Sequence, residues 1–202
     1  MSEEEPLVIH LWTGPRSLST AMLYAFAQRD DTIGLDEPLY ASWLAKNPDI
    51  FRAYRDVLVK DDQVDGNMEM KQIYAMKGKR IIFCKHVAKQ FAGLDKQFLY
   101  NPRARHIFLV RNPKDMIHGW ERKAAIHKEA CSLETMCLPI MVELFSDIRR
   151  VTKNEPLVVD SDLLKKYPRE ILTILCKQLD LEFQENMLKW EEGPKSVDGY
   201  DI

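Results

Sequence analysis

Short apolar runs alternate along the chain with segments in which apolar residues recur every three or four positions. The runs are typical of buried strands and occupy residues 7–11, 32–35, 81–84, 104–110 and 156–160. The helical spacing predicts helices after residue 19, at 40–45, 50–59, 68–76 and 94–99, after residue 113, and at 133–151, 163–167, 170–179 and 184–190. Pro139 is expected to kink the long helix, and residues 60–67 to form a polar loop. This alternation predicts an α/β fold, a three-layer parallel sheet flanked by helices.

A polar turn joins the first strand to the first helix. It consists of Thr13, Gly14, Pro15, Arg16, Ser17, Leu18, Ser19 and Thr20. The first backbone N–H groups of a helix lack internal partners, and the helix dipole makes that end positive. One guanidinium and three hydroxyls beside those groups favour an anion site, most plausibly for a phosphate. The alternative is that Ser17 only caps the helix and Arg16 is a solvated charge.

A second arginine, Arg111, follows the strand at 104–110. A Walker A loop requires G-x-x-x-x-G-K-[ST], but counting from Gly14 the second glycine and the lysine are replaced by Ser19 and Thr20. No carboxylate stands at the end of the 104–110 strand to hold Mg²⁺. Two arginines at strand ends suit a ligand with two separate phosphates and no metal. A P-loop kinase or nucleotide hydrolase is therefore the weaker alternative.

Two motifs resemble those of a known enzyme family. Residues 13–20, TGPRSLST, resemble the 5′-phosphosulfate loop of the sulfotransferases that use 3′-phosphoadenosine 5′-phosphosulfate (PAPS), and residues 109–115, LVRNPKD, resemble their 3′-phosphate motif. Residues 27–40, which include DEPLY, are closer to a sulfotransferase-like subgroup of bacteria, algae and plants. The resemblance covers about residues 7–195 and implies a P-loop-like, nucleotide-binding fold. It also implies transfer of a sulfuryl group from PAPS to a hydroxyl or amine of a small-molecule acceptor.

The resemblance also assigns roles to individual residues. The loop at 14–20 would hold the 5′-phosphosulfate, and Arg111 would pair with the 3′-phosphate. Two positions depart from the family pattern: Gly119 stands where a serine is usual, and Leu18 replaces a loop glycine. The missing hydroxyl could be replaced by Lys195 in the Gly-Pro-Lys tail. These departures keep open a second alternative, a non-catalytic nucleotide-binding module on the same fold.

Sulfuryl transfer to an alcohol requires a base for the hydroxyl proton. Glu37 and His86 match, in position, catalytic residues of different branches of the family, and the neighbouring Lys85 could assist the leaving group. The alternative for Glu37 is a cap carboxylate before Pro38, and the alternative for His86 is a structural histidine at a strand end.

Composition limits the remaining possibilities. The 202 residues are expected to form one domain, with flexible ends at 1–6 and 196–202. The net charge of −2 argues against nucleic-acid and acidic-membrane partners. The four cysteines form no CxxC pair and no metal-ligand cluster with histidine by sequence spacing, so no metal is expected. The absence of a visible signal peptide and of a long apolar run favours the cytoplasm.

Overall fold

Five parallel strands form a sheet in the order β2-β3-β1-β4-β5. The computed structural model describes residues 5–52, 54–61, 64–127 and 130–198. The strands are β1 (Leu7–Thr13), β2 (Thr32–Asp36), β3 (Ile81–Val87), β4 (Ala104–Val110) and β5 (Leu157–Asp160). In register, Thr13 lies between Val87 and Leu109. The carboxyl ends of the three central strands therefore meet at one edge, where ligands bind in open α/β sheets.

Helices cover both faces of this sheet, which confirms the predicted α/β class. They are α1 (Ser19–Ala27), α2 (Tyr40–Lys46), α3 (Arg55–Asp61), α4 (Gly66–Ala75), α5 (Pro113–His127), α6 (Leu138–Thr152), α7 (Ser161–Lys166) and α8 (Pro168–Gln178). Short 3₁₀ segments occur at Ala88–Phe91, Lys96–Tyr100 and Glu185–Leu188.

Two apolar clusters lie on opposite faces because side chains alternate along each strand. Ile9 and Leu11 of β1 pack in one cluster with Phe26 of α1. Val8 and Trp12 of the same strand pack in the other cluster, beside α4 and α6. Both faces of β1 are therefore buried, which explains its nearly continuous apolar sequence.

Several predicted helix boundaries were wrong. Pro139 does not kink the long helix but lies in its first turn, where a missing N–H costs no hydrogen bond. The helix predicted at 50–59 corresponds to α3, which runs from Arg55 to Asp61, and residue 53 of the predicted range lies outside the described residues. Residues 66–67, predicted as loop, begin α4, because the Asp65 side chain accepts hydrogen bonds from the amides of Asn67 and Met68. Residues 62–63 of that loop lie outside the described residues. The segments predicted as helices at 94–99 and 184–190 contain 3₁₀ turns.

The carboxyl-terminal tail packs against the sheet as far as it is described. Val197 contacts the apolar cluster that contains Phe26 and lies against Gly34 of β2. The Tyr24 hydroxyl of α1 donates a hydrogen bond to the Asp198 carboxylate. Residues 1–4 and 199–202 of the predicted flexible ends lie outside the described residues. None of the described helices combines the length and the apolar character needed to cross a bilayer.

Candidate functional site

The β1–α1 loop turns through two residues in the left-handed region, Arg16 with φ of 62° and Leu18 with φ of 66°. Leu18 is the N-cap of α1 and provides no side-chain cap. Leu18 therefore adopts a backbone conformation that glycine adopts easily, and this conformation costs about 1–3 kcal/mol of folding free energy. As at any helix start, the first amides of α1 have no partner within the helix, and such amides are what an anion site at a helix end uses.

The hydroxyl groups of this loop do not all face outward. Ser17 is buried, and its hydroxyl donates to the Gly14 carbonyl at 2.7 Å. The Thr13 hydroxyl lies 2.9 Å from the same carbonyl and also pairs with the Ser17 hydroxyl, and its single proton is shared between these two acceptors. These bonds hold the turn together from within. Thr20 is exposed and Arg16 is exposed, so both are open to a ligand.

Gly14 has a steric reason to lack a side chain. A Cβ at this position would lie 2.4 Å from the Met136 carbonyl oxygen and 2.7 Å from the Met116 side chain. The segment before α6 therefore packs directly on the loop backbone at Gly14.

The structure brings Arg111 to this loop. Its Nη1 donates to the Arg16 carbonyl oxygen at 2.8 Å. Its Nε is buried and forms an ion pair with Asp162 at 3.7 Å, which is too long for a hydrogen bond, so this N–H has no hydrogen-bond partner among the described residues. Buried donors are normally satisfied, so this unsatisfied N–H is consistent with a ligand position beside it.

Gly119 of α5 lies directly beneath Arg16. A Cβ on Gly119 would lie 3.1 Å from the Cβ and 3.3 Å from the Nε of Arg16. The position that carries a serine in the resemblance is therefore the surface on which the Arg16 side chain rests. A serine here would require the Arg16 side chain to shift by a few tenths of an ångström.

Glu37, Lys85 and Gln90 form a buried polar cluster at the neighbouring strand ends. The Lys85 ammonium lies 2.5 Å from Glu37 Oε1 and 2.7 Å from Asp36, while Gln90 donates to Glu37 Oε2 at 2.5 Å. Burial disfavours the charged ammonium, but the negative charges of Glu37 and Asp36 outweigh it, so the pKa of Lys85 is raised. Glu37 itself has a φ of 48°, another left-handed residue at this edge.

His86 lies on the other face of β3 from Lys85, because adjacent strand residues point in opposite directions. With His10 and His106 it forms a buried group, called here the histidine layer. His86 Nε2 lies 3.1 Å from His10 Nδ1, and its ring stacks on Trp12 at 4.6 Å. Burial, with the nearby His106 and the positive charge of Lys85, lowers the pKa of His86 to about 3. His86 is therefore neutral near pH 7.

Lys195 does not contact either arginine in the described part of the chain. Its ammonium donates to the Gly193 carbonyl at 2.6 Å, and its amide donates to Asp198 at 2.6 Å. Its predicted role at the 3′-phosphate stays a prediction.

A cavity of about 630 Å³ opens at the opposite edge of the sheet, lined in part by Ala104, Arg105 and Leu157. It lies at the amino ends of the strands, away from the loop.

Sequence reasoning missed Gln90 and the residues that surround His86. Gln90 lies in a 3₁₀ segment that was not predicted, so no periodicity marked it. His10 and Cys84 were visible as polar or reactive residues two positions from Trp12 and His86, inside apolar runs. Sequence spacing suggested no metal-ligand cluster, but strand pairing brings donor atoms of His10, Cys84 and His86 within 4.8 Å of one another.

Comparison with known proteins identifies the family of this chain. The model of the sulfotransferase domain matches residues 7–201. Branched-chain-amino-acid aminotransferase-like protein 2 of Arabidopsis thaliana is 40% identical over 194 residues, which cover 95% of this chain and 33% of that protein. The chain thus spans about a third of the length of the curated relatives it matches.

Solved structures show the same fold. The sulfotransferase domain of the olefin synthase of Synechococcus PCC 7002 has a TM-score of 0.59 at 19% identity, covering 96% of this chain and 80% of that one. The sulfotransferase of Alicyclobacillus acidocaldarius has a TM-score of 0.63 at 13% identity, covering 92% and 86%. Both share the sheet and the helices that flank it.

Proposed function

The chain belongs to the sulfotransferase domain family, and from that premise we propose that it transfers a sulfuryl group from PAPS to a hydroxyl or amine of a small-molecule acceptor. The observation that carries the proposal is the contact between Arg111 and the backbone of Arg16 at the amino end of α1. Two guanidinium groups far apart in sequence lie at one edge of the sheet, beside the start of α1. This arrangement suits one nucleotide with phosphates at both ends.

The loop would bind the 5′-phosphosulfate through the first amides of α1 and the exposed side chains of Arg16 and Thr20. These donors also stabilise the charge that develops on the bridging oxygen as the S–O bond breaks. Arg111 would bind the 3′-phosphate with its unsatisfied Nε and its remaining guanidinium N–H groups. The cations in this arrangement are side chains, so the binding we propose needs no divalent ion.

Glu37 is the base we propose. Its carboxylate takes the proton from the acceptor hydroxyl while the acceptor oxygen forms a bond to sulfur. The bond between sulfur and the bridging phosphate oxygen breaks, and adenosine 3′,5′-bisphosphate leaves with the electron pair. Lys85 and Gln90 hold the two oxygens of Glu37 in position, and each oxygen keeps a further lone pair for the acceptor. His86, neutral and buried, has no part in the transfer that we propose.

Calorimetry with adenosine 3′,5′-bisphosphate tests the nucleotide half of the proposal. The bisphosphate should bind more tightly than adenosine 5′-monophosphate, and Arg111→Ala should remove this difference while the protein stays folded. Arg105→Ala is the matched control, because Arg105 is an exposed arginine near the start of β4, the strand that Arg111 follows. Equal binding of the two nucleotides by the unaltered protein would refute the role of Arg111.

Turnover of labelled PAPS against a panel of hydroxyl and amine acceptors tests the catalytic half. Label should appear on an acceptor and depend on Arg16. Binding of the bisphosphate without any transfer would favour the non-catalytic module instead.

A further inference from the structure

Three potential metal ligands lie together in the apolar interior, apart from the nucleotide loop. His10 of β1 is paired in register with Cys84 of β3, and His86 follows two residues later on the same face. All three side chains are fully buried, and one donor atom from each lies within 4.8 Å of the others. Side chains on one face of paired strands are held by the sheet itself, so the cluster is positioned by rigid elements.

The hydrogen bonds around His10 determine where its lone pair lies. The Tyr74 hydroxyl donates to the Phe98 carbonyl at 2.8 Å, and a hydroxyl has one proton. Tyr74 must therefore accept the bond that joins it to His10 Nε2 at 3.0 Å. His10 carries its proton on Nε2, so the lone pair on Nδ1 faces His86. A histidine ligand whose other nitrogen donates to a fixed partner is the usual arrangement at metal sites.

Two groups in the cluster lack hydrogen bonds. His86 Nδ1 is buried without a partner, and over the described residues no hydrogen bond is found for the Cys84 thiol. Burial raises the pKa of this thiol, so it is a neutral S–H in the absence of a cation. Buried polar groups are rarely left unsatisfied in pairs. One ion between them would account for both.

We propose that His10, Cys84 and His86 bind a single Cu⁺ ion. Cys84 loses its proton to solvent and binds as the thiolate, while each neutral imidazole contributes its one lone pair and loses no proton. The ion replaces the direct hydrogen bond between the two histidines, and His86 turns its lone pair toward the ion.

The net charge of the ion together with its three ligands distinguishes Cu⁺ from Zn²⁺ at this site. Cu⁺, one thiolate and two neutral imidazoles sum to zero, whereas Zn²⁺ with the same ligands leaves one net positive charge. An uncompensated charge in an apolar interior is strongly unfavourable. Thiolate and imidazole ligands are suited to Cu⁺, and three such ligands satisfy it.

Anaerobic titration with Cu⁺, buffered by a chromophoric chelator, tests the proposal. All proteins carry Cys131→Ser, because Cys131 is exposed and would bind copper by itself. Because the cluster is sealed, the ion is added both to the folded protein and during refolding. We expect one ion for each chain, and loss of that ion in Cys84→Ser.

Cys137→Ser is the matched control, since Cys137 is also fully buried in the same apolar cluster but is not a member of the group formed by His10, Cys84 and His86. It should retain the ion. If Cys84→Ser does not fold by circular dichroism, copper-edge X-ray absorption on the protein with Cys84 intact decides, and it should show one sulfur and two nitrogen ligands. Absence of a bound ion, a ligand set without sulfur, or preference for Zn²⁺ over Cu⁺ would each overturn the proposal.

Discussion

Replacing Glu37 by glutamine isolates the proton-accepting role proposed for its carboxylate. The amide keeps the shape of the side chain and an oxygen that can accept from Gln90 or Lys85, but it does not take a proton near pH 7. A positioned general base contributes about 10²- to 10⁴-fold to a rate. At 1.36 kcal/mol for each factor of ten, Glu37→Gln should raise the barrier by about 2.7–5.4 kcal/mol.

The same substitution should also lower the free energy of unfolding, and the contacts of Lys85 limit the size of this loss. It removes the charged partner 2.5 Å from the Lys85 ammonium. Asp36 remains 2.7 Å from that ammonium, so Lys85 is not left without a negative charge. The cost should therefore be that of a charge-assisted hydrogen bond, about 1.5–3 kcal/mol, rather than the larger loss expected when a buried cation is left alone.

The assay is the initial rate of labelled sulfuryl transfer, with kcat and KM for PAPS measured separately, and urea unfolding gives the change in stability. We expect kcat to fall at least a hundredfold with little change in bisphosphate affinity. Glu143→Gln is the control, because Glu143 also pairs with a lysine, Lys96, but on the surface. A fall in kcat of less than tenfold for Glu37→Gln would refute the assignment, and a larger fall for His86→Asn would transfer it to His86.

Three further predictions follow from contacts in the structure. Gly119→Ala should weaken bisphosphate binding with little loss of stability, because the added methyl displaces the Arg16 side chain that rests on this position; unchanged affinity by calorimetry would contradict the contact. Gly14→Ala should cost about 1–3 kcal/mol in urea unfolding, because the added carbon lies 2.4 Å from the Met136 carbonyl and must push the backbone away; a fully stable variant would show that the two segments separate freely. The histidine layer should make the protein acid-labile, since its folded pKa values are lowered, to about 3 for His86 and about 4 for His106, relative to the unfolded chain. Unfolded histidine binds protons below about pH 6.5, so stability is present above that pH and falls below it, by about 2 kcal/mol for each buried histidine at pH 5; a flat stability between pH 7 and pH 5 would contradict the burial.

The sequence was sufficient for the fold class and for the order of most elements. Apolar runs located all five strands, because a strand buried on both faces is apolar along its whole length. Helix ends were less well predicted. Pro139 illustrates the reason. A proline can lie at a kink within a helix or in its first turn, and which of the two occurs depends on whether the residues before it are helical.

Some features of the candidate site could likewise be predicted from the sequence, and others could not. The β1–α1 loop could be located from local sequence, because it is formed by neighbouring residues. The sequence also placed Arg111 at the end of a strand. It could not show that Arg111 reaches the carbonyl of Arg16, that Gly119 supports the Arg16 side chain, or that Gln90 holds Glu37.

Those contacts join residues that are distant along the chain, and sequence periodicity describes only near neighbours. Strand order and register decided that Lys85 faces the acidic pair while His86, one residue later, faces the histidine layer. The sequence by itself therefore determined the family, the layers and the position of the β1–α1 loop. Tertiary structure alone decided which side chains share each face of the sheet. Side-chain direction alternates along each strand, and the residues that lie beside it on neighbouring strands depend on strand order and register.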